Sequence, residues 1–172
     1  MKLEGKHVMV DLETLGNRSN SVIISLGAAE FNATGVTSTF YRRIDPQSCV
    51  DNGLEIDVST VLWWMQQSDA ARAEFKVPGS HLYETLQDFF TWFPQDACLW
   101  GNGATFDNVI LGNAYGAVKL DKPWKFWNDR CYRTIKNMYP DVKADPLVGA
   151  AHNALDDALY QARHLVKIAS AA

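Results

Sequence analysis

The sequence predicts an α/β or α+β domain whose helices cover the faces of one mixed sheet. Two observations carry this. Three β-rich runs follow one another at the start of the chain, and beyond residue 58 apolar positions at helical spacing alternate with further short apolar runs. No repeat, low-complexity tract or linker interrupts the 172 residues, so one domain over 1–172 is expected.

His7 to Asp11 is a short apolar run ending in an acid, and Val22 to Phe31 is a longer one containing Gly27. Gly35 breaks the pattern, and Thr37 to Ile44 resumes it. These read as three strands, the first two joined by the polar loop Gly16 to Ser21, with short connections that make this part antiparallel. Val58 to Gln67 then reads as a helix with Ser59 or Thr60 near its start, and Asp69 to Phe75 as a second. Pro78-Gly79 punctuates, and His81 to Phe93 is a third helix, closed by Pro94. Ala97 to Trp100 is a short strand, Phe106 to Tyr115 a helix ending at Gly116, and Arg130 to Met138 a helix stopped by Tyr139-Pro140. Asn153 to Ala169 is the last helix, with Ala158, Ala162, Leu165 and Ala169 on one apolar stripe.

Composition narrows the function classes. The apolar and charged fractions are those of an ordinary globular protein, and no apolar run has the length of a membrane span. Met1 to Lys6 lacks a signal-peptide pattern. Cys49, Cys98 and Cys131 lie far apart, without metal-ligand spacing or an even disulfide framework, so a reducing cytoplasm is the expected location. The formal net charge of −4 argues weakly against a nucleic-acid partner, an objection that shrinks if carboxylates hold cations. The charge is also uneven. Lys119 to Lys136 gathers Lys119, Lys122, Lys125, Arg130, Arg133 and Lys136 among Trp124, Phe126, Trp127 and Tyr132. Such a stretch can track a strand and stack its bases, although a solvated face with core aromatics has the same composition.

Three short segments carry candidate chemistry. In Asp11-Leu12-Glu13-Thr14 strand alternation points Asp11 and Glu13 to one face, and two like charges there call for a cation or protons. A strand end running into a turn would look the same. In Gly101-Asn102-Gly103-Ala104-Thr105-Phe106-Asp107 glycines permit close backbone approach, and Asp107 falls in a first helical turn, where the helix dipole alone would favour it. In His152-Asn153-Ala154-Leu155-Asp156-Asp157 Asn153 is a plausible N-cap, and the acids again suit the dipole. Taken together, the segments offer acids and one histidine at element boundaries. That set matches phosphodiester hydrolysis assisted by two cations ~3.5–4 Å apart, with a histidine taking the proton from water.

The three segments, in this order and at these wide spacings, resemble the motifs of the DnaQ-like, or DEDD, exonuclease superfamily, which includes RNase T, oligoribonuclease and polymerase proofreading subunits. Asp11-Leu12-Glu13-Thr14-Leu15-Gly16 is similar to its first motif and Asn102 to Asp107 to its second. His152 to Asp157 is similar to its third in the histidine-containing (DEDDh) form. A narrower likeness, carried by Thr60 to Ser68, Trp100 to Gly103 and Arg133-Thr134, is to small single-domain phage and bacterial 3′–5′ exonucleases. The resemblance implies a ribonuclease H-like fold with a central five-stranded mixed sheet flanked by helices. It implies two divalent ions, Mg²⁺ or Mn²⁺, and single-stranded RNA or DNA 3′ ends as substrate. It also implies the cytoplasm of a bacterium or phage-infected host, and it admits a homodimer. Asp11, Glu13 and Asp157 would ligate the tighter ion, Asp11 would bridge to the second, Asp107 would act there, and His152 would be the general base. Choosing Asp157 over Asp156 rests on the resemblance, because helical periodicity does not separate them. Leu12, Thr14 and Leu15 beside the first motif and Asn102 and Phe106 beside the second are expected at the substrate. Trp63 is a further candidate, although Trp63 and Trp64 could both be packing residues.

Three other readings remain open on sequence grounds. The same fold could hold a nucleic-acid end without cleaving it, although every expected catalytic position is filled. The cations could serve an endonuclease or a phosphohydrolase of free nucleotides. A purely structural domain would require three ordered motif matches to be coincidence.

Overall fold

The computed structural model describes residues 1–149 and 152–171, apart from the Glu74 side chain. Its centre is a five-stranded sheet in the order β3-β2-β1-β4-β5. The first three strands are β1 (His7–Thr14), β2 (Ile23–Asn32) and β3 (Gly35–Arg43), and each pairs antiparallel with the next. The short strands β4 (Cys98–Gly101) and β5 (Asp129–Cys131) run parallel to β1 on its other side. The helices are α1 (Pro46–Asp51), α2 (Val58–Met65), α3 (Leu82–Trp92), α4 (Asp107–Ala117), α5 (Tyr132–Met138) and α6 (Ala154–Ala171).

Strand alternation divides the core into two layers. Val8, Val10 and Leu12 of β1 join Leu86 and Phe89 of α3, Ile110 and Leu111 of α4 and Trp64 of α2 on one face. Met9, Ala29, Phe31 and Trp100 pack on the other face against Tyr132 of α5 and Ala158, Ala162 and Leu165 of α6. Asp11 and Glu13 share the register of Met9, so they belong to the face that α6 covers.

Several elements differ from the expectation. β1 does not stop at Asp11 but runs to Thr14, with a register shift against β2 between Glu13 and Thr14. Irregularities of this kind re-aim side chains beside sites. The expected helix from Asp69 is a 3₁₀ segment, Ala71–Lys76, and the helix expected from Arg130 begins only at Tyr132, because Asp129 to Cys131 pair with β4. Three residues cannot display a strand period, so β5 is legible only from its neighbour. α4 continues through Gly116 to Ala117. α1 was not anticipated; it has six residues, Pro46 in its first turn, and an Asp45 carboxylate that accepts from the Gln47 N–H at 3.1 Å. α2 is capped by Asp57, which accepts from the Ser59 N–H at 2.8 Å, rather than opened by Ser59 or Thr60. Asn153 caps α6 as expected, accepting from the N–H groups of Leu155 and Asp156 at 3.2 and 3.1 Å, a bond set worth about 1 kcal/mol.

One glycine sets the distance between α6 and the sheet. Gly27 of β2 lies opposite Asp11 in register. A Cβ there would stand 2.2 Å from the carbonyl carbon of Ala154. Only a residue without a side chain lets the first turn of α6 lie directly on β2, which brings Asp157 to β1.

Candidate active site

Three elements converge at the C-terminal end of β1. Asp11 and Glu13 project from β1, Asp107 opens α4 after the β4 turn, and His152 and Asp157 flank the start of α6. One ligand atom each of Glu13, His152 and Asp157 lie within 4.8 Å of one another. The Asp107 carboxylate accepts from the Leu12 N–H at 3.3 Å, which ties the second motif to the backbone of the first. His152 donates its N–H to Asp157 Oδ2 at 3.0 Å. It does so at φ +63°, a left-handed conformation rare for a residue with a side chain and concentrated at functional sites. Asp156 faces elsewhere, since its carboxylate lies against Gly149. The geometry therefore separates two acids that helical periodicity could not.

The electrostatics of the cluster are unfavourable without a counter-charge. Burial, followed by the charges of Asp107, Glu13 and Asp157, holds the Asp11 carboxyl well above the ordinary carboxylate value. Burial pushes Asp107 up to about 7, against hydrogen bonds from the backbone that favour its anion. Burial also raises Asp157. Packed carboxylates of this kind are stabilised by protons or by cations, and an all-oxygen set with one imidazole suits a hard divalent ion. The residues present therefore fit a hard divalent cation.

The surrounding residues sort by what they touch. Leu12 and Leu15 are buried in the core layer away from α6. The Thr14 hydroxyl donates to the Gly16 carbonyl at 2.6 Å, and the Thr14 carbonyl accepts from the buried Trp64 indole at 2.8 Å. The two tryptophans thus divide: Trp64 is a packing residue, whereas Trp63 is 42% exposed and stands edge-on to the His152 ring, centroids 5.2 Å apart. Phe106 packs partly buried at the core edge. Asn102 gives its carbonyl to the Arg133 guanidinium at 2.6 Å, and its buried Oδ1 has no hydrogen-bond partner.

Two contributors lie outside the three motifs. Gln161 donates to Asp11 Oδ1 at 2.8 Å from one turn beyond Asp157, and that i+4 spacing on an expected helix was the available signal. Arg133 braces the second motif from α5, a contact between residues 31 apart that no local pattern announces. The basic, aromatic-rich stretch also divides. Trp124 and Tyr132 are core residues, while Phe126 and Trp127 are exposed before β5, at the sheet end opposite the carboxylates.

A family model described as the Rv2179c-like 3′–5′ exoribonuclease domain matches residues 6–169. No curated protein matches the chain. Among solved structures, the nuclease domain of 3′hExo, a DEDDh family member bound to rAMP, superposes with a TM-score of 0.63 at 14% identity, over 96% of this chain and 92% of that one. Exonuclease X in complex with 5′-overhanging duplex DNA gives 0.62 at 13% identity, over 96% and 92% of the two chains. The zinc-bound E. coli exonuclease I complex with single-stranded DNA gives 0.63 at 13% identity, over 97% of this chain and 39% of that one. The chain thus spans about two fifths of that exonuclease. At these identities the likeness establishes the fold, which is ribonuclease H-like. Among the described residues, no helix is long and apolar enough to cross a membrane.

Proposed function

Because the chain belongs to the Rv2179c-like 3′–5′ exoribonuclease domain family, we propose that it releases nucleoside 5′-monophosphates one at a time from the 3′ end of single-stranded nucleic acid, and that RNA is its preferred substrate. Asp11, Glu13, Asp107 and Asp157 would hold two divalent cations, and His152 is the general base. The observation that carries this reading is the approach of Glu13, His152 and Asp157 to within 4.8 Å beside the raised carboxyls of Asp11 and Asp107.

Divalent ions bound there would neutralise the phosphate, favour attack by water and stabilise the leaving oxygen. The protein's own contribution is orientation. Gln161 directs one oxygen of Asp11, the Leu12 N–H directs Asp107, and the His152 N–H directs Asp157. The His152 ring is backed edge-on by Trp63 and Trp64, so it stays beside the carboxylates, where it can accept the proton lost by water. Trp63, half-exposed at the same place, offers an aromatic face to the terminal base, and Asn102 and Phe106 line the approach from the second motif. An Oδ1 of Asn102 without a partner is an acceptor suited to a substrate hydroxyl or amino group.

The test uses matched RNA and DNA oligonucleotides labelled at the 5′ end, incubated with Mg²⁺, Mn²⁺ or chelator, beside Asp11→Asn. A metal-dependent ladder shortening from the 3′ end, faster on RNA and absent in the variant, is expected. Near-normal cleavage by Asp11→Asn would show that the assigned ligands are wrong. A wild-type protein that binds either strand but never shortens it would be a binding module.

A further inference from the structure

A second polar groove begins one helical turn from the carboxylates. It is a cavity of about 430 Å³ between α5, the loop after it and α6, with Lys136, Tyr139, Lys143 and Tyr160 among its lining residues. Two elements connect it to the candidate active site. On α6, Tyr160 lies three residues after Asp157, a spacing that puts side chains ~5–6 Å apart on one face. On α5, Lys136 lies three residues after Arg133, whose guanidinium binds the Asn102 carbonyl of the second motif.

The floor of the groove is built rather than incidental. His164, 4% exposed, meets the Tyr132 hydroxyl at 2.8 Å through Nδ1 and the Val142 carbonyl at 2.7 Å through Nε2. Both ring nitrogens are therefore engaged, and the second contact fastens the loop to α6. Lys143 donates to the Pro140 carbonyl at 2.7 Å, which holds its ammonium over the loop, and Lys167 engages Asp145 at 2.6 Å just beyond it. The groove lining contains two ammonium groups and no carboxylate, in a chain whose net charge is −4. Cations between half-exposed aromatic rings match a strand that presents phosphates and base faces in turn.

We propose that this groove is a subsite for the single strand upstream of the scissile nucleotide, with Lys136 and Lys143 contacting internucleotide phosphates and Tyr160 stacking a base. The proposal rests on the exonuclease reading for the direction of the strand. It explains how an acidic protein retains a polyanion: the carboxylates act on one phosphate, and the next ones meet positive charge. Phosphates and base faces are common to RNA and DNA, so the groove serves both.

The test is binding, with hydrolysis suppressed by chelator. The anisotropy of 5′-labelled RNA and DNA decamers is read against wild type, Lys136→Ala/Lys143→Ala, Lys136→Arg/Lys143→Arg and Tyr160→Ala. The double alanine variant is expected to weaken binding of both polymers about tenfold and to flatten the salt dependence by about 1.4, two contacts at ~0.7 each on a single strand. The arginine pair should restore both. Tyr160→Ala should cost about fivefold or more, the range for one stacked base. A double alanine variant with wild-type affinity and salt slope on the decamers overturns the proposal, whether or not the protein cleaves them. A protein that loses affinity as expected yet hydrolyses neither polymer keeps the groove and loses the exonuclease reading.

Discussion

Gln161 shows how a residue without chemistry of its own governs a carboxylate. Its amide donates to Asp11 Oδ1, while its own Oε1 is buried without a partner, so the side chain is held by packing on α6 rather than by a second bond. Asp11 is otherwise surrounded by like charges, and this donor is what favours its anion. Gln161→Leu should keep the shape and remove the donor. Partners that orient metal-ligating carboxylates typically cost 10–100-fold in metal affinity or activity when lost. A raised half-saturating Mg²⁺ concentration, read in a titration of the cleavage rate, is the expected result; an unchanged titration would make Gln161 a packing residue only. His152→Ala belongs to the same scale. It should lower turnover by ~10²–10⁴-fold, the usual contribution of a general base. An unchanged half-saturating Mg²⁺ concentration beside the lower turnover distinguishes loss of the base from displacement of the Asp157 carboxylate that the His152 N–H directs.

At the scale of elements, the contact between β2 and α6 decides whether the third motif reaches the first. Gly27 stands opposite Asp11 and under the Ala154–Leu155 peptide. The atoms a Cβ would meet are backbone, which cannot rotate away, so Gly27→Ala must lift the start of α6. A loss of ~1–3 kcal/mol in stability is expected, as for overpacking elsewhere, with a disproportionate loss of activity because Asp157 moves with the helix. Denaturant unfolding of the variant checks the first part, and cleavage under conditions where the variant is fully folded checks the second. Gly101 works similarly at the second motif. A Cβ there would lie 2.5 Å from Asn108 Oδ1, and Asn108 ties α4 to the Leu99 carbonyl and the Asp129 carboxylate.

For the whole molecule, the carboxylate cluster couples stability to pH and cations. Asp107 keeps its proton in the fold up to about 7, whereas in the unfolded chain it would lose it near 3.8. The folded state therefore binds more protons through that window, and stability falls as pH rises across it. Asp11 and Asp157 are raised too and act in the same direction. In chelator the protein should melt at a higher temperature near pH 5.5 than near pH 8. Cations reverse the trend by binding the ionised cluster. At ~100 times its Kd an ion contributes ~2.7 kcal/mol, or roughly 5–10 °C at about 2–4 °C per kcal/mol. Melting curves with and without Mg²⁺ at both pH values test this; an equal Mg²⁺ effect at pH 5.5 and pH 8 would place the ions elsewhere.

Elements with long periods and residues with distinctive chemistry can be read from the linear chain. β2, β3, α3 and α6 were legible because each runs over nine or more residues, β1 only in its apolar first half, and the three motifs because acids, glycines and a histidine recur in a known order. The features that emerge only on folding are of shorter range in sequence or longer range in space. β5 has three residues and α1 six, too few to show a period. Asp156 and Asp157 are adjacent residues of one type, and the approach of α6 over Gly27 turns only Asp157 toward Glu13 and His152. Trp63 and Trp64 are likewise neighbours, and the helix surface buries one and leaves the other beside His152. A linear pattern records which side chains exist and how often they recur, whereas burial and approach depend on segments about 30–150 residues apart meeting in the fold, as Arg133 meets Asn102 and Gln161 meets Asp11.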